Sequence, residues 1–222
     1  MKETFYSVTL ARLLAAGKYL KVAPDWFIDC GPQREKSEAL IAQKVWPNIK
    51  IIGLEPCDEN YNQLKAKYPG DLLNLAADET GGISTGFVGG RRGFFKFGCE
   101  EDEGYSVPKQ VAVSSITLDS LFAKKPDGTI FIWADIEGGE LRMLKGATGL
   151  LKSGRLVGLS LELCPKHPVK IWPNYTGCRP SCDEIIEFLD GFGFSLFDFD
   201  PNLWGDWESK GWYDDFIFVK KS

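Results

Sequence analysis

Carboxylates recur in this chain at the carboxyl ends of short apolar runs. Residues 26–30 carry Asp29 and run into Gly31; residues 50–55 end on Glu55 and Pro56. Residues 72–76 run into Ala77 and Asp78, and residues 129–135 open the block Asp135-Ile136-Glu137-Gly138-Gly139-Glu140. In open parallel sheets, ligands bind outside the carboxyl ends of the strands, where turns and helix N-termini supply donors and acids supply acceptors. Gly31 and Glu55 are 24 residues apart (55 minus 31), close to the ~20 that separate a nucleotide-binding turn from the acid that grips ribose. A carboxylate suits that task because it accepts from both vicinal hydroxyls, and its charge strengthens each bond. Taken alone, Glu55 serves equally well as the end of a strand that caps the helix after Asp58.

The elements that must position these acids alternate between strand and helix, which marks βαβ units stacked into a parallel sheet. After the first strand, residues 37–45 read as a helix whose Leu40, Ile41 and Val45 share one face, ended near Pro47. Residues 59–68 place Tyr61, Leu64 and Tyr68 at helical spacing, with Asp58 as N-cap and Pro69-Gly70 as the stop. From 78 to 113, paired glycines and the acidic stretch 100–103 break the pattern into short β-like pieces, an irregular excursion with room for a hairpin. Regularity returns with a helix over 118–124, a strand over 129–135, a helix over 139–151 and a strand over 156–163. Ser181-Cys182-Asp183-Glu184 has the form of a capping box and opens a further helix. Strands over 195–199 and 216–219 close the chain and are placed to pair antiparallel across the Trp-rich loop 202–213. The expected fold is α/β, with seven strands, mostly parallel, helices on both faces and an antiparallel last strand.

These residues resemble the FkbM-type methyltransferases, within the Rossmann-like class that uses S-adenosylmethionine. Ser115-Ile116-Thr117-Leu118-Asp119-Ser120-Leu121 is similar to the family's threonine-leucine-aspartate stretch. The block from Asp135 to Glu140, followed by Leu144-Lys145-Gly146-Ala147, is similar to its most characteristic segment. Phe27-Ile28-Asp29-Cys30-Gly31 and Gly53-Leu54-Glu55-Pro56 resemble its first two cofactor motifs. The resemblance covers roughly residues 26–200, with residues 1–25 as a helical extension of a single domain. It implies methyl transfer from S-adenosylmethionine to an oxygen of a small molecule, often a sugar or natural-product hydroxyl. By the same resemblance Asp29, Gly31, Pro32 and Gln33 line the methionine and ribose end, Glu55 and Pro56 the ribose, and Ala77 and Asp78 the adenine edge. Asp135 stands nearest the reacting groups. The sulfonium is already activated, so the protein chiefly aligns acceptor, methyl and sulfur, and supplies a base. Asp135 and Glu137 are the candidates, taking the proton directly or holding a divalent cation that acidifies the hydroxyl. Glu140 is expected only to favour a helix N-terminus.

Three positions depart from the family pattern. In Gly31-Pro32-Gln33-Arg34-Glu35-Lys36, Glu35 stands where a second glycine is usual and Gln33 where asparagine is common. A side chain there crowds or repels the methionine carboxylate, with Arg34 and Lys36 as nearby cations to compensate. Trp133 stands where the family has a lysine two residues before the aspartate. These departures keep a second function class in view, a cofactor-binding or interaction module that has lost turnover. A nicotinamide dehydrogenase would want G-x-G-x-x-G at the first turn, and this chain offers one glycine followed by proline.

Composition bounds the rest. A length of 222 residues and a hydrophobic fraction of 44% fit one folded core. The formal charge of -5 provides no field for a phosphate backbone, the one basic group being Arg91, Arg92 and Lys96, so nucleic acid is not an expected partner. No apolar run reaches membrane-spanning length, and six cysteines, two in or beside buried strands, suit a reducing cytoplasm. Cys164, His167, Cys178 and Cys182 have zinc-like spacing, but the capping box places Cys182 on a helix and no metal site is expected there. The aromatics Trp172, Tyr175, Trp204, Trp207, Trp212 and Tyr213 are candidates for an acceptor pocket or for partial core.

Overall fold

A computed structural model of the chain describes residues 13–14, 16–18, 20, 22–33, 37–89, 94–97, 109–163, 182–197 and 214–221. Its centre is β1 (Trp26–Cys30), a strand buried at all five positions. The pleat sends Trp26, Ile28 and Cys30 into one core and Phe27 into the other. β2 (Lys50–Leu54) and β8 (Ile130–Ala134) flank it in parallel. β3 (Asp71–Leu73) lies outside β2, and β9 (Leu156–Leu163) outside β8. β11 (Asp214–Lys220) pairs antiparallel with both β9 and β10 (Phe194–Leu196). The seven-stranded order is β3-β2-β1-β8-β9-β11-β10. The chain winds outward from β1 to β3 and restarts on the other side at β8, which leaves a topological switch point between β1 and β8.

Helices cover both faces. α1 (Ser37–Val45) and α2 (Asp58–Leu64) belong to one face, where Ala39, Ile41, Ala42 and Leu64 are buried with Phe27, Phe131 and Trp133. The rings of Phe27 and Phe131 stack across adjacent strands, 6.1 Å apart and 3° from parallel, and burying each contributes about 1.5–3 kcal/mol. Leu13 and Ala16, in the helical residues near the N-terminus, are buried in the same cluster. On the other face lie α3 (Leu118–Phe122), α4 (Glu140–Lys145), α5 (Thr148–Ser153) and α6 (Cys182–Asp190). Among the described residues no helix is long and apolar enough to cross a membrane.

Several local expectations need correction. Asp58 is the first residue of α2, and the N-cap is Cys57, whose backbone N–H donates to Glu55 Oε1 at 2.8 Å. The strand expected over 72–76 is two strands, because Asn74 turns its amide to the carbonyls of Glu55 and Pro56 at 2.9 and 3.3 Å. The second piece, β4 (Ala76–Ala77), leaves the large sheet and pairs with β7 (Lys109–Ile116). With β5 (Gly82–Gly89) and β6 (Phe94–Phe97), these strands form a four-stranded sheet of order β4-β7-β5-β6. The described residues of the excursion are therefore largely β structure, and the expected hairpin is β5 with β6. The helix expected over 139–151 breaks into α4 and α5 at Gly146, where a Cβ would stand 2.1 Å from the Asp78 carbonyl oxygen.

The threonine-leucine-aspartate stretch has a structural task. Thr117 caps α3 by accepting from Ser120 N–H at 3.0 Å. Asp119 accepts from the N–H groups of Gly149 and Leu150, both at 2.8 Å, and so caps α5.

Candidate functional site

Register brings the carboxyl ends of three strands level. Cys30 pairs with Leu54 and with Ala134, so the residues that follow, Gly31, Glu55 and Asp135, emerge together on one rim of the sheet. Gly31 has φ +86°, and a Cβ on it would lie 2.1 Å from the Asp135 carbonyl oxygen. Glycine alone lets the β1 and β8 ends approach this closely. Gln33 (φ +54°) and Glu137 (φ +55°) hold left-handed backbone without being glycine, a strain of about 1–3 kcal/mol each that tends to gather at functional sites.

A cleft opens on this rim. Gly31 and Gln33 from the β1 turn, Leu54, Glu55, Pro56 and Asn60 from β2 and α2, and Asp135, Ile136 and Glu137 from the β8 turn line it. Ala76 and Ala77 of β4 and Phe95 of β6 complete the wall. Of the residues expected at the site, Gly31, Gln33, Glu55, Pro56, Ala77, Asp135 and Glu137 are thus brought together. Asp29, Pro32 and Asp78 are not part of that wall. Leu54, Asn60, Ala76, Phe95 and Ile136 were not anticipated.

Glu55 is 3% exposed. Burial pushes its carboxyl up to about 7, while the N–H groups of Cys57 and Gln33 and the side chain of Asn60 pull it back down. Three of the roughly four acceptor positions of a carboxylate are therefore engaged within the protein. Asp29 lies beneath the rim, 1% exposed, and accepts from the Tyr68 hydroxyl at 2.7 Å. Burial first, and then the charges of Glu38 and Glu55, raise it well above the ordinary range.

Asp135 is half-buried, and its Oδ1 is closed off from solvent with no hydrogen-bond partner. Burial and then the like charges of Glu162, Glu137, Asp215 and Glu140 push it well above the usual carboxylate range. Glu162 stands near the end of β9, directly across from Asp215 of β11. One carboxylate oxygen from each of Asp135, Glu137 and Glu162 lies within 4.8 Å of the others. Such a cluster favours a positively charged guest or a retained proton. Glu162 obeys the same strand-end rule that singled out the other acids, so the sequence carried a signal for it. Glu140, 2% exposed, accepts from Ile136 and Gly138 N–H at 3.3 Å and braces the turn, in keeping with its expected structural part.

Asp78, expected at an adenine edge, is fully buried elsewhere. Arg142 donates through Nε to Oδ1 at 2.8 Å and through Nη2 to Oδ2 at 3.0 Å, and the Ser84 hydroxyl donates to the same Oδ2. The cause is Arg142, one turn into α4, whose paired donors satisfy a carboxylate better than a solvent-facing position would. Trp133, 3% exposed, belongs to the core beneath the sheet and not to the cleft wall. Residues 34–36, Cys164, His167, Cys178, Ser181 and the aromatics Trp172, Tyr175, Trp204, Trp207, Trp212 and Tyr213 lie outside the described residues; Cys182 is buried in α6.

Residues 29–196 match the family model described as the methyltransferase FkbM domain. No curated protein sequence matches the chain. Among solved structures, the chain is similar to a putative S-adenosylmethionine dependent methyltransferase from Listeria monocytogenes, at 11% identity and TM-score 0.48, covering 94% of this chain and 98% of that one. It is also similar to a precorrin-6y C5,15-methyltransferase from Geobacter metallireducens, at 15% identity and TM-score 0.44, covering 98% and 86%. A third is human N-acetylserotonin methyltransferase, at 12% identity and TM-score 0.45; 94% of this chain is covered, and it spans about half (51%) of that protein.

Proposed function

The chain belongs to the FkbM methyltransferase family, and from that premise we propose that it transfers a methyl group from S-adenosylmethionine to a hydroxyl of a small molecule or sugar. The observation that carries this reading is the level register of β1, β2 and β8, which gathers Gly31, Glu55 and Asp135 on one rim. The residues suit the cofactor. The missing Cβ at Gly31 lets the β1 and β8 turns close together on the rim, and the Asp135 carboxylate, with its unpaired Oδ1 among other acids, suits a cationic group. When bound, the cofactor supplies an activated methyl on a positively charged sulfur.

In this reading Glu55 accepts from ribose, and with three donors already on it there is room for about one hydroxyl bond. Gln33 and Asn60 hold that carboxylate in place. Asp29 and Tyr68 keep the β1 turn rigid from below. Asp135 takes the acceptor's proton on its carboxylate, and burial with the like charges around it raises its affinity for that proton. Asp135, Glu137 and Glu162 are also the described acids placed to hold a divalent cation, which would acidify the hydroxyl instead.

The first test is calorimetric titration with S-adenosylhomocysteine, for which micromolar to sub-millimolar binding is expected; none at millimolar concentration refutes the reading. Asp135→Asn is expected to bind the product cofactor and to lose methyl transfer to the true acceptor. Full turnover by that variant would remove Asp135 as the base. Dialysis against a chelator separates the two roles of the cluster, because only the cation route loses activity and regains it with added magnesium or manganese.

A further inference from the structure

The antiparallel excursion between β4 and α3 plays no part in the chemistry above, yet it delivers one side chain into the cleft. Phe95, on β6, is 7% exposed and shares the wall with Pro56, Ala76 and Ala77. β4 and β6 are the two outer strands of the small sheet, so a sheet anchored at Ala76–Ala77 reaches the cleft from both of its edges.

The order of strands along the rim gives this end of the cleft a meaning. Asp135 follows β8, Gly31 follows β1, Glu55 follows β2, and Ala76–Ala77 come just after β3. If Glu55 holds ribose and Asp135 faces the reacting groups, the base attached to ribose extends past Glu55 on the side away from Asp135. The lining there includes Pro56, Ala76, Ala77 and Phe95, small or apolar residues and one flat ring. Asp78, the one acid expected to meet the base by its edge, is buried against Arg142 and Ser84. Among the described residues, recognition at that end is therefore by apolar faces.

We propose that Phe95 is the aromatic face on which the adenine of the cofactor rests, which makes the small sheet that carries it, through β6, a working part of the cofactor site. The inference rests on the S-adenosylmethionine reading. Ala76 and Ala77 put no bulky side chain into that part of the lining, and a flat ring gains from stacking whatever the base presents at its edge.

Titration of the wild type with S-adenosylhomocysteine comes first, and failure to bind refutes the cofactor reading itself, with this inference falling alongside it. Given binding, Phe95→Ala is expected to weaken S-adenosylhomocysteine by roughly ten- to a hundredfold, the range that stacking one base on an aromatic side chain provides. Phe95→Leu stays apolar but not flat, and it loses affinity in the same direction; Phe95→Tyr keeps the ring and restores it. 5′-Methylthioadenosine, which carries the adenine without the amino-acid end, loses affinity by the same factor as the full product. Thermal unfolding of the Leu variant shows the fold intact, and that variant carries the test if the Ala variant melts early. Wild-type affinity in both Ala and Leu variants overturns the proposal. A loss for S-adenosylhomocysteine with none for 5′-methylthioadenosine also overturns it, because it assigns Phe95 to the amino-acid end.

Discussion

Replacing Glu55 with glutamine should flatten the dependence of stability on pH. The Glu55 carboxyl is held at about 7 in the folded chain against an ordinary 4.5, a difference of 7 minus 4.5, or 2.5 units. Below pH 4.5 both folded and unfolded chains keep the proton, so this group does not distinguish them. Between 4.5 and 7 the unfolded chain gives up the proton while the folded chain retains it. The unfolded state then binds fewer protons, and stability falls as pH rises. At 1.36 kcal/mol per unit the full loss is about 3 kcal/mol, of which about 2.5 kcal/mol falls between pH 5 and 8. Because Glu55 is 3% exposed, solvent screening removes little of this. Asp29 and Asp135 are raised as well and tilt the wild-type curve the same way, so the quantity to read is the difference between wild type and Glu55→Gln. Urea unfolding at half-unit steps from pH 5 to 8 measures it. The wild type should lose about 2.5 kcal/mol more than the variant over that span, whatever constant offset the lost hydrogen bonds impose. Parallel curves would mean that Glu55 titrates like an exposed acid and that the rim is wetter than its burial states.

Gly31→Ala forces a Cβ to within 2.1 Å of the Asp135 carbonyl at φ +86°; it should lower stability by at least ~1–3 kcal/mol and abolish S-adenosylhomocysteine binding, read by thermal unfolding and calorimetry. Arg142→Met strips the partner from the buried Asp78 carboxylate; the cost should be about 2 kcal/mol, below the ~3–5 of a fully enclosed pair because the Arg142 side chain is 41% exposed. Urea unfolding checks that value, and an unchanged midpoint would deny the pair its structural part. Asp119→Ala removes the acceptor for two N–H groups at the start of α5 and should cost about 1 kcal/mol, with Asp119→Asn recovering much of it.

The large sheet was legible because its strands obey local rules. β1 and β9 occupy the spans that uninterrupted apolar runs indicated, and α1 the span that its repeat and the proline after it indicated. Strand-end acids follow from the same pattern, since a buried strand must stop before it can carry a carboxylate to the rim. That is why the sequence could place Glu55, Asp135 and Glu137 at strand ends that line one cleft, and why Glu162, which obeys the rule from the end of β9, was within reach.

What the sequence alone determined, then, is the alternation of strand and helix that builds the large sheet and the acids at its strand ends, all properties of neighbouring residues; the second sheet and the breaks at Asn74 and Gly146 were not among them. Which acids face the cleft was decided by tertiary structure. Asp78 and Glu55 both stand at strand ends, but Arg142, 64 residues away, turns Asp78 aside, while Gln33 and Asn60 hold Glu55 at the rim. Phe95 reaches the same wall through pairings of β6 with β5, β5 with β7 and β7 with β4. No local pattern encodes such contacts, because their free energy arises only after the chain has closed over itself and the competing partners have been brought within hydrogen-bonding distance.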